Sequence, residues 1–95
     1  MKVRGTIKKL DLKNNEIAIS LKDVIRINHI DYVFVIDDKC KLLSDFIHKI
    51  KKEKVFKVVA FNDTLLYQFY KDNQLLIFYI DLKKKTITNI EVISE

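Results

Sequence analysis

Residues 37–54 read DDKCKLLSDFIHKIKKEK, the one long stretch of the chain whose apolar residues recur with a helical period. Leu42, Leu43, Phe46, Ile47 and Ile50 fall on one arc at about 3.6 residues per turn, with Cys40 at its edge. Lys41, Ser44, Asp45, His48, Lys49 and Lys52 take the opposite side. Asp37 or Asp38 is placed to cap the amino end, and Lys51, Lys52 and Lys54 suit the negative carboxyl end of a helix. The stretch predicts an amphipathic helix. Everything around it reads as short strands, so the expected fold is α+β.

Upstream, Val3 to Leu12 and Glu16 to Leu21 predict a hairpin turning at Lys13-Asn14-Asn15. Val3, Gly5 and Ile7 share a face, but the phase then jumps to Leu10 and Leu12, which predicts a bulge near Lys8 and Lys9. Gly5, Ile7 and Asp11, then Ile17 and Ile19, then Asp23 and Ile25 together resemble the closing hairpin of YolD-like proteins, a family often encoded beside Y-family DNA polymerases. The resemblance covers residues 5–25 alone, and no membership is drawn from it. Lys22 to His29 reads as a third strand, with a single helical turn as the other option. Tyr32 to Ile36 is apolar at every position, with Asp31 before it and Asp37 after it, the pattern of a strand covered on both faces.

Downstream, Val55 to Phe61, Leu65 to Tyr70, Leu75 to Asp81 and Thr86 to Ile93 predict four strands. They are separated by Asn62-Asp63-Thr64, Lys71-Asp72-Asn73 and Leu82 to Lys85, short enough for an antiparallel meander. The expected architecture is one helix on a mainly antiparallel sheet of six to seven strands, in the order β-β-β-α-β-β-β-β. The alternative is an OB-like or SH3-like small barrel with an extra hairpin. The open sheet is preferred because the chain has a single glycine, Gly5, with which to turn barrel corners.

The 95 residues predict one globular domain, 1–95. No apolar run reaches the roughly 18 residues of a membrane span, and MKVRGTIKKL has no signal-peptide core. With one cysteine, this predicts a cytoplasmic protein, in a bacterial cell or a phage-infected host. The wealth of Lys, Ile and Asn fits an AT-rich genome. A single glycine and no proline exclude a glycine-rich phosphate loop. The formal charge of +5 permits an anionic partner, but the excess is lysine, which lacks the planar fork that reads guanine.

No specific catalytic or metal-binding constellation stands out, and no cofactor is expected. Cys40 and His48 are eight residues apart, about 12 Å along a helix, too far to share one metal ion. Cys40 could act as a nucleophile with His29 or His48 as base, but the plainer reading is a small residue at the edge of the stripe. Asp37, Asp38 and Asp81 leave apolar strands, with Asp31, Asp45 and Asp63 able to join them around magnesium for phosphoryl transfer. The plainer reading makes them caps and turn residues.

Lysines cluster at Lys49, Lys51, Lys52 and Lys54, at Lys83, Lys84 and Lys85, and at Lys8, Lys9 and Lys13. With Tyr67 and Tyr70, and with Phe69, Phe78 and Tyr79, they would make a stacking platform for single-stranded nucleic acid. Against that, lysine runs at turns are commonly solvated, and aromatics on adjacent strands are commonly core. If Leu76, Phe78 and Ile80 face the helix, Leu75, Ile77 and Tyr79 form a second apolar face that a protein partner or a second copy would cover. The first expectation is therefore a small non-catalytic protein that binds another protein or itself, such as a phage or mobile-element inhibitor of anti-defence type. A sequence-tolerant nucleic-acid module comes second and a metal-dependent nuclease third.

Overall fold

The structure, a computed structural model, describes residues 1–34, 42–43, 55–59, 61–81 and 83–93. Among these the elements run β1 (Lys2–Asp11), β2 (Glu16–Leu21), β3 (Val24–Ile27), β4 (Ile30–Phe34), β5 (Leu42–Leu43), β6 (Val55–Val58), α1 (Asp63–Lys71), β7 (Leu76–Asp81) and β8 (Thr86–Val92). The class is α+β, as expected. The open sheet of six to seven strands is not what forms.

Five strands close into a barrel in the order β1-β2-β6-β8-β7, with β7 returning to β1. The β6–β8 pair is parallel and the other pairs are antiparallel. The remaining strands form a separate three-stranded sheet in the order β3-β4-β5. Thus the described strands fit the alternative small barrel, with a three-stranded sheet in place of the expected extra hairpin.

Closure depends on β1, whose first residues pair with β7 and whose later residues pair with β2. Gly5 belongs to both pairings, opposite Leu21 on one side and Leu76 on the other. The expected bulge is present as a register shift between Ile7 and Lys9. A close-approach glycine and a bulge are enough to bend one long strand around a barrel, which is why a single glycine did not exclude it. The tight turns use Asn15, Asn28, His29, Asn73 and Lys85, all at positive φ. Asn tolerates that conformation best after glycine.

The inward rows alternate as the pleat demands. Val3, Ile7, Ile17, Ile19, Leu76, Phe78 and Ile87 are buried in the barrel interior, each worth roughly 1.5–3 kcal/mol of apolar burial. Leu66 and Phe69, three residues apart on α1, join the same core.

Two expectations are corrected here. The helix predicted over 37–54 does not hold at Leu42 and Leu43, which pair with Phe34 and Val33 as β5. Their backbone groups are satisfied across strands, an interaction that local periodicity cannot register. The rest of that stretch lies outside the described residues. Conversely, Leu65 to Tyr70, expected as a strand, belongs to α1. Asn62 Oδ1 accepts the N–H of Leu65 at 3.0 Å to cap its start. At its end Asn73 N–H donates to Tyr70 and Gln74 N–H donates to Phe69, a Schellman closure with Asn73 in the left-handed region. Residues read as two hairpin turns are therefore the two ends of one helix. With a helix between β6 and β7, the four-strand meander is replaced by a crossover that leaves β6 parallel to β8.

Candidate functional site

Three separate segments meet at the end of β6. Lys57 N–H donates to the Lys85 carbonyl at 3.1 Å, and Val58 N–H donates to the Asn15 carbonyl at 2.7 Å. These bonds bring the 12–15 turn and the 83–85 turn to the two sides of one strand. Lys57 is exposed because it alternates with the buried Phe56 and Val58. Lys57, Lys84, Lys85, Val55 and Glu16 line an open groove of about 380 Å³. Lys13 is exposed in the neighbouring turn.

The 83–85 turn is held by Asp81, whose Oδ1 accepts the N–H groups of Lys83 at 3.0 Å and Lys84 at 3.3 Å. Its carboxylate is thus engaged with backbone donors in a turn. Asp63 sits in the first turn of α1, and His29 is exposed in the β3–β4 turn. Among the described residues no three His, Cys, Asp or Glu side chains gather as a metal ion would require. Cys40, His48, Asp37, Asp38 and Asp45 lie outside the described residues.

A second cleft, of about 640 Å³, opens where α1 ends against the first hairpin. Thr6, Ile7, Lys8, Ser20, Tyr70, Lys71 and Asn73 line it. Tyr67 and Tyr70 are 52 % and 41 % exposed, on the helix and not on a strand beside Tyr79 as expected. Phe69 and Phe78 are core, so the expected platform of aromatics on paired strands does not assemble. Of the predicted lysines, Lys83, Lys84 and Lys85 stand at the groove or its turn and Lys8 at the cleft. Lys49, Lys51, Lys52 and Lys54 lie outside the described residues.

Leu75, Ile77 and Tyr79 are half-buried, alternating with the inward Leu76, Phe78 and Ile80. Tyr79 is engaged from both sides. The Lys2 ammonium sits 4.9 Å from its ring centre, and its hydroxyl donates to Glu91 Oε1 on β8. That hydrogen bond raises the phenol above its ordinary range, with burial and the Glu91 charge adding to it.

Sequence reasoning missed Lys57, Glu16 and Lys71. Lys57 shows only as one polar break in an apolar strand, and the local sequence carries no sign that two distant turns converge on it. Compared with known proteins, the chain matches no family model, no curated protein and no solved structure. Among the described residues, no helix is long and apolar enough to cross a membrane.

Proposed function

We propose that the chain is a non-catalytic binding module on an OB-like barrel, and that its ligand is single-stranded nucleic acid held without regard to sequence. The observation that carries this is the convergence of the 12–15 turn, Lys57 and the 83–85 turn at the end of β6. Counted along the barrel alone, the strands close in the order first, second, third, fifth, fourth, with a helix between third and fourth. On OB folds the face of the second and third strands, flanked by the first and last turns, is where oligonucleotides bind. Those positions here are β2, β6 and the two lysine-bearing turns. Lysine point charges attract phosphate, and the groove holds no arginine fork to read base edges.

The test is fluorescence anisotropy with a labelled oligothymidylate over a salt series. Binding should be steeply salt-dependent, and Lys57→Glu with Lys84→Glu should weaken it and flatten the slope by about 0.7 for each phosphate that is no longer neutralised. No binding at low salt, or binding indifferent to the double charge reversal, would refute the reading.

A protein partner or second copy on Leu75, Ile77 and Tyr79 is the second reading, and the one an inhibitor of a host protein would need. It is favoured by the partial exposure that these three side chains retain on the outer wall of a closed barrel.

A further inference from the structure

We infer that the lysine groove and the Tyr70 cleft are the two ends of one track, and that Tyr70 is a base-stacking subsite for the same single strand. The inference rests on the nucleic-acid reading above. Its basis is β2, which reaches both places. The strand buries Ile17 and Ile19, leaving Glu16, Ala18 and Ser20 as its outward row. Glu16 lines the lysine groove and Ser20 lines the Tyr70 cleft. They are four positions apart along the strand, about 13 Å at the usual rise. Among the described residues of that outward row Ala18 alone lies between them, and its side chain is a single methyl group.

The chemistry at the far end suits a nucleotide. Lys8 and Lys71 supply two cations, Thr6 and Ser20 two hydroxyls, and Tyr70 an exposed ring between the helix end and the hairpin. Lys8 is exposed and lies at the register shift between Ile7 and Lys9. Tyr70 and Lys71 are presented by the last turn of α1, which the Asn73 closure fixes in place. Ammonium groups would hold phosphates, and the phenol ring would stack on any base, consistent with indifference to sequence. The opposite end holds Lys57 and Lys84, so a strand long enough to cross Ala18 would be gripped at both ends.

The experiment compares labelled oligothymidylates of about four and about twelve nucleotides, within the range of site sizes on such barrels. The longer one should bind the wild-type protein more tightly. Tyr70→Ala, and separately Lys8→Glu with Lys71→Glu, should weaken the longer one roughly tenfold or more and change the shorter one little. Tyr70→Phe should retain affinity, since it keeps the ring. Thermal melting checks that each variant folds, and if Tyr70→Ala does not, the lysine pair decides. Binding that falls with Lys57→Glu and Lys84→Glu but not with the cleft substitutions would overturn the track and leave the groove reading standing. Equal affinity for the two lengths would also overturn it. Failure of the wild-type protein to bind either oligonucleotide would overturn both.

Discussion

Gly5 lies so close to β2 that a Cβ added to it would overlap the carbonyl oxygen of Ser20. The neighbour is backbone in a barrel wall and cannot swing aside. Gly5→Ala should therefore push β1 away from β2 at the residue that also pairs with β7, at a cost of about 1–3 kcal/mol or more. Urea and thermal denaturation measure it. A midpoint equal to that of the wild type would show that the strands do not close around Gly5.

The first hairpin and its bulge were legible because they are local: alternation, a turn of Lys and Asn, and a phase jump lie within residues 3–21. Helix α1 was misread because Tyr67, Phe69 and Tyr70 favour strands as single residues, which outweighed the helix preference of Leu65 and Leu66. Its capping Asn62, acidic Asp63, final Lys71 and closing Asn73 were nonetheless in view. The site was legible only in pieces. Lys83, Lys84 and Lys85 announce themselves as a run, whereas their meeting with Lys57 depends on a parallel pairing of β6 and β8 across the α1 crossover. Pairings between distant strands leave no mark on local spacing.

Asn73 ends α1 with φ 51, a conformation that costs a residue with a Cβ roughly 1–2 kcal/mol. Asn73→Ala should lower stability by about 1 kcal/mol, whereas Asn73→Gly should equal or exceed the wild type. Chemical denaturation of the three proteins gives the order. If alanine is tolerated as well as glycine, the helix does not end in the Schellman closure.

Asp11 accepts the Asn14 side-chain amide at 2.8 Å and the Asn14 N–H at 3.1 Å, and these bonds hold its carboxyl below the ordinary range. A depressed folded value means that the contribution is whole above the unfolded pKa of about 3.9 and lost as pH falls through the folded one. The 12–15 turn should thus loosen only below about pH 4. Amide signals of Asn14 and Asn15 followed by NMR should shift in that window, and Asp11→Asn should remove the transition. A transition that persists in the variant would assign it to another carboxylate.

Ile77 is half-buried on the outer wall, opposite Glu91 of β8. If a second copy covers Leu75, Ile77 and Tyr79, light scattering should give a dimer that Ile77→Lys converts to a monomer. If the wild-type protein is already monomeric at high concentration, self-association through this face is ruled out, and a heterologous protein partner is then sought with Ile77→Lys as the negative control.

Among the described residues Glu16 is the one carboxylate lining the lysine groove, directly across the β2–β6 pair from Lys57. A phosphate drawn to Lys57 and Lys84 must approach this like charge. At about 6 Å in water the repulsion is roughly 0.7 kcal/mol, or about threefold in affinity. Glu16→Gln should therefore tighten oligothymidylate binding by about threefold at low salt, and the gain should shrink as salt screens both charges. Removing the opposite charge across the strands from Lys57 should cost the fold only about 0.2–1 kcal/mol, so the variant remains folded for the measurement. Anisotropy titrations at two salt concentrations read both effects. Unchanged or weaker affinity in Glu16→Gln would mean that no strand passes over this end of β2.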